Sequence, residues 1–105
     1  MNFELWFYLL PFKFYLFMTT KTFLISNELG LHARAAAQFV KIANRFRSNI
    51  SVKKEAVTVN GKSIMGVLML AAAKGTEITV EVDGNDEADA LVELGKLIEQ
   101  KFGEE

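Results

Sequence analysis

Reactive side chains are few in this chain. It carries one histidine, His32, and no cysteine. Without thiols there is no disulfide scaffold, thiolate metal centre or cysteine nucleophile, and a lone histidine excludes a multi-histidine metal site. His32 lies in Gly30-Leu31-His32-Ala33-Arg34, where a glycine-containing loop meets the start of an expected helix. The first amides of a helix have no partner within it and point outward, and the helix dipole adds positive potential there. Such an end receives anions, phosphate among them. Arg34 can bring a guanidinium to the same place, in a geometry suited to phosphate oxygens. Gly30 permits the turn, and Ala33, Ala35 and Ala36 are read as keeping the first turn small and open to a docking partner.

Three chemical uses of His32 fit this placement. It can act as a general base, although no second catalytic group is visible nearby in the sequence. It can help to bind an anion. Or its imidazole, largely neutral near pH 7 when unperturbed, can attack phosphorus and carry a phosphoryl group, whose oxygens the helix amides and Arg34 would then stabilise. The plain alternative is a polar cap or surface residue, and spacing alone leaves all four open.

The elements that must position His32 are readable from periodicity. Thr20–Ile25 is rich in Thr and branched residues and predicts a strand. From Ala33 to about Phe46, Ala36, Phe39, Val40 and Ala43 form an apolar stripe opposite a basic face of Arg34, Gln38, Lys41 and Arg45. Short strands follow at 50–54 and 57–59 around a turn at Glu55-Ala56, and Asn60-Gly61 marks another turn. Ser63 caps a short helix expected over 64–72. Ile78, Val80 and Val82 alternate with polar residues in a half-buried strand. The last helix is expected over 86–102, with Leu91, Leu94, Ile98 and Phe102 on one face and acids in its first turn. The order β-α-β-β-α-β-α predicts an α+β fold with helices on one face of an antiparallel sheet.

Composition bounds the rest. A chain of 105 residues has room for one core. Twelve Lys and Arg against 13 Asp and Glu give a net charge of -1, which argues against nucleic acid or an anionic membrane as a bulk-charge partner. Residues 1–17 differ from the remainder, with 13 of 17 apolar and eight of the chain's 12 aromatics. This run is short for a membrane span, is interrupted by Glu4, Pro11 and Lys13, and lacks the early positive charge and small-residue site of a secretory signal. The expectation is a domain over 18–105 preceded by a head that is either an over-extended start before Met18 or an interfacial or partner-binding tail.

The stretch from Gly30 to Val40, GLHARAAAQFV, resembles the active-site signature of the HPr family, the histidine-containing phosphocarriers of the bacterial phosphoenolpyruvate:sugar phosphotransferase system. Asn60-Gly61-Lys62-Ser63-Ile64-Met65-Gly66-Val67 resembles the family's second signature, around a regulatory serine. The resemblance covers roughly residues 18–105. It implies an open-faced β-sandwich, a four-stranded antiparallel sheet with three helices on one face. It implies a cytoplasmic carrier rather than a stand-alone turnover enzyme, in which His32 takes a phosphoryl group at Nδ1 from phosphorylated enzyme I and passes it to enzyme II A components. Arg34 matches the arginine that supports the phosphorylated ring. Ser63 matches the serine that an ATP-dependent HPr kinase modifies. Ile64, Met65 and Leu68, core residues by default, would dock partners beside the histidine, with Lys41 framing them.

One departure is Ala35, where the family usually has proline; both fit a helix's first turn. No cofactor, metal, nucleic acid or membrane span is expected, and a monomer is. A ferredoxin-like RNA-binding module shares some of the element order, but Phe23 is the only aromatic its strands offer for base stacking. A small-molecule regulatory domain would not require His32 and Arg34 at a helix start. A nitrogen-type phosphocarrier paralogue, with the same chemistry and a mainly regulatory role, is the alternative.

Overall fold

The computed structural model describes residues 18–104; the aromatic head and Glu105 lie outside the described residues. Four strands, β1 (Met18–Leu24), β2 (Asn49–Lys54), β3 (Val57–Asn60) and β4 (Glu77–Asp83), alternate with three helices, α1 (Ala33–Ala43), α2 (Ile64–Met69) and α3 (Glu87–Glu99). The sheet order is β1-β4-β2-β3 and every pairing is antiparallel. Register follows side-chain chemistry. Phe23 pairs with Ile78, and Val80 lies between Lys21 on one side and Val52 on the other.

Period-2 alternation gives the sheet one apolar face. Phe23, Ile50, Val52, Ile78, Val80 and Val82 are buried, whereas Thr20, Thr22, Lys53 and Glu77 on the other face are exposed. The helices cover the apolar face: α3 lies over β1 and β4, and α1 packs against both α2 and α3. Phe39, Leu94, Ile98 and Val67 reach the core from these helices. Each such side chain contributes about 1.5–3 kcal/mol on burial. Helix α3 sits so close to the sheet that a Cβ on Gly95 would meet the Phe23 ring at 3.0 Å.

Three expectations change in the structure. The second helix stops at Met69 rather than reaching Ala72, because Ala71 adopts φ 49° and the Lys54 ammonium from β2 takes the carbonyls of Leu70 at 3.0 Å and Ala71 at 3.3 Å. The last helix ends at Glu99, not Phe102. Lys101, Phe102 and Gly103 all take left-handed φ values of 57°, 56° and 76°. Left-handed backbone at a non-glycine residue costs about 1–3 kcal/mol; burying Phe102, which is 1% exposed, offsets it. The left-handed run turns the chain out of the line of α3. Finally, Ala35 is fully buried in the core beside Ala36, which the apolar stripe of α1 already places there, so neither lines an open first turn. Ala33 alone of the three alanines is exposed to an approaching partner.

Candidate functional site

His32 is the N-cap residue of α1, in extended backbone with φ -77° and ψ -178°. The loop before it is tightly tied. Gly30 adopts φ +66°, and a Cβ there would lie 2.5 Å from the Ala72 carbonyl oxygen. The Asn27 side-chain amide donates to the Gly30 carbonyl at 2.8 Å, the Leu31 amide donates to Ala72 at 2.9 Å, and the His32 amide donates back to Gly30 at 2.9 Å. The amides of Ala33, Arg34 and Ala35 then open the helix with no carbonyl one turn earlier to take them. They form the outward-facing donor set that the spacing of Gly30, His32 and Arg34 predicts.

The ring of His32 does not cap the helix. It is bonded through Nε2 to the carboxylate of Glu104, with its side chain 28% exposed and that of Glu104 12% exposed. The second Glu104 oxygen accepts from Asn27 Nδ2 at 3.0 Å. The Asn27 amide, and after it the hydrogen bond with His32, hold the Glu104 carboxyl below its ordinary value; the charges of His32 and Arg34 act in the same direction, and desolvation opposes them. A second titratable group therefore stands beside the histidine, contrary to the expectation from sequence. Neither Asn27 nor Glu104 carries a local signal of this role. Asn27 reads as a loop residue, and Glu104 lies 72 positions from His32 and is delivered by the left-handed run after α3.

Arg34 is exposed on the first turn of α1, where its guanidinium can swing toward the ring. A shallow cavity of about 230 Å³ opens beside the ring, lined by Leu29, Leu31, His32 and Ala71 to Ala73. Among the described residues no group of three or more His, Asp or Glu could hold a metal ion.

Ser63 is the N-cap of α2, its Oγ accepting from the Gly66 amide at 3.0 Å. Ile64 and Met65 follow it and are 44% and 68% exposed, while Leu68 is half-buried against the core. Met69 and Leu29, at 74% and 67% exposed, are large apolar residues that sequence periodicity does not single out. Lys41 is exposed in the last turn of α1.

An open-faced α+β sandwich presenting one histidine at a helix mouth, with an arginine two residues on, is a scaffold suited to holding a transferable anion. The family model for the PTS HPr component phosphorylation site matches residues 19–100, and the chain belongs to the HPr family. The phosphocarrier protein HPr of Neisseria meningitidis serogroup A is 56% identical over 80 residues, which cover 76% of this chain and 90% of that protein. HPr-C-His from Thermoanaerobacter tengcongensis superposes with a TM-score of 0.80 at 46% identity, covering 83% of this chain and 98% of that one. An HPr dimer from the same organism superposes with a TM-score of 0.67 at 46% identity, covering 78% of this chain and 94% of that one. No helix among the described residues is long and apolar enough to cross a membrane.

Proposed function

We propose that His32 accepts a phosphoryl group from phosphorylated enzyme I and passes it to enzyme II A components in the cytoplasm. The observation that carries this reading is the half-exposed ring of His32 at the mouth of α1, among free helix amides and next to Arg34, in a chain of the HPr family. Attack by a ring nitrogen places three phosphoryl oxygens where the amides and the guanidinium can receive them. The site holds phosphate without machinery to hydrolyse it, as suits a carrier rather than a turnover enzyme.

Around the site, exposed Ile64 and Met65 and half-buried Leu68 offer apolar docking contacts, and Lys41 supplies positive charge that steers acidic partners. This face must stay open during transfer, which supports a monomer as the working form. Ser63 is proposed as a regulatory phosphorylation site, modified by an HPr kinase, because a helix N-terminus accommodates a phosphate. Incubating the protein with enzyme I and labelled phosphoenolpyruvate tests the central claim. One acid-labile, base-stable phosphoryl group per chain is expected, and His32→Ala abolishes it. Label persisting in that variant overturns the assignment.

A further inference from the structure

We infer that the side-chain carboxylate of Glu104 is a positioning residue for phosphoryl acceptance: it takes the proton-bearing Nε2 of His32 and leaves the lone pair on Nδ1 as the nucleophile. The inference rests on the phosphocarrier reading of His32 and deepens it. A neutral imidazole has one proton, and the group bonded to one nitrogen decides where it sits. An ionised carboxylate only accepts hydrogen bonds, so the nitrogen facing Glu104 must be the protonated one.

The contact is built rather than incidental. Glu104 is held on its far side by Asn27 Nδ2 at 3.0 Å, and the same amide nitrogen braces the Gly30 carbonyl at 2.8 Å. Asn27 itself is 1% exposed. One buried amide therefore sets both the loop that carries the ring and the carboxylate that orients it. The other charged group that acts on Glu104 is Arg34 on α1. The carboxylate lies on Nε2, away from the nitrogen that attacks.

During acceptance the Nδ1 lone pair forms the N–P bond. The bond from phosphorus to the donor's leaving atom breaks, and that atom keeps its electron pair. The ring retains its Nε2 proton and becomes cationic, facing the Glu104 carboxylate. Onward transfer reverses these changes. The arrangement follows the logic by which a buried carboxylate holds a catalytic imidazole in one tautomer.

Nitrogen-15 spectra of the ring, together with single-turnover phosphorylation by enzyme I and labelled phosphoenolpyruvate, test this. The wild-type ring is expected with its proton on Nε2 and Nδ1 unprotonated, and with slow exchange of that ring proton. Glu104→Ala is expected to speed the exchange, admit the other tautomer and slow acceptance about tenfold, as for the loss of one charge-assisted hydrogen bond. Glu104→Gln, whose side-chain oxygen still accepts from Nε2, is expected to retain the tautomer and fall between the two in rate. A wild-type ring protonated at Nδ1 overturns the inference, as do unchanged spectra and rates in Glu104→Ala while the wild type still takes label. A wild type that takes no label instead removes the phosphocarrier reading itself.

Discussion

The amide of Leu31 donates to the carbonyl of Ala72 at 2.9 Å, so the residue before His32 is anchored to the segment that leaves α2. The placement of the histidine is therefore not a property of α1 alone. It depends on a close backbone approach that Gly30 makes possible, and on the sharp end of α2 that Lys54 and Ala71 enforce.

Gly30→Ala should be destabilising by about 2 kcal/mol or more, since it combines a left-handed backbone with a methyl group 2.5 Å from a carbonyl oxygen. Urea unfolding measures the loss. Phosphoryl acceptance should fall as well, because relief of the clash separates Leu31 from Ala72. A variant of wild-type stability would show that this approach is not needed.

Arg34→Ala should slow phosphoryl acceptance about tenfold, by analogy with the loss of a charge-assisted contact, and leave the unfolding midpoint nearly unchanged. The side chain is exposed, so no packing is lost. Arg34→Lys should recover part of the rate, since an ammonium supplies charge without the planar fork. Transfer kinetics beside a thermal melt separate these effects, and equal rates in all three proteins would remove Arg34 from the site.

Ser63 has two separable roles. Ser63→Ala loses the acceptor for the Gly66 amide and should cost about 1 kcal/mol. Ser63→Asp keeps an acceptor at the cap and should retain stability while accepting phosphoryl more slowly from enzyme I. If the aspartate variant is charged at the wild-type rate, Ser63 serves only as a cap.

Acid sensitivity should centre in part on Asp86. Its carboxyl is held below the ordinary value first by the Ser48 hydroxyl and then by the Arg47 amide, which donates at 2.8 Å. A depressed native pKa means that the unfolded chain binds more protons in acid. The stabilisation is thus complete above about pH 4–5 and is lost as pH falls through the lowered native value. Asp86→Asn should flatten the fall of the urea midpoint in this range. The same fall in wild type and variant would place the acid sensitivity elsewhere.

Much of this molecule was legible in its residues. Period-2 and period-3.6 patterns placed the strands and helices, and Gly30, His32 and Arg34 placed the one histidine at a helix mouth, because local spacing governs local backbone. Ser63 was readable as a cap for the same reason. The ends of α2 and α3 were not, since apolar periodicity continues past Met69 and Glu99 and the stops are made by Lys54 from another strand and by burial of Phe102 in left-handed backbone. Spacing placed Ala36 on the apolar stripe, but it did not show that Ala35 also faces the core and leaves only Ala33 at the opening. The chain alone determined which imidazole is available and which helix end surrounds it. Only the tertiary structure decided what that imidazole touches, because Glu104, braced by Asn27, meets His32 from 72 residues downstream through a left-handed run that no local pattern encodes.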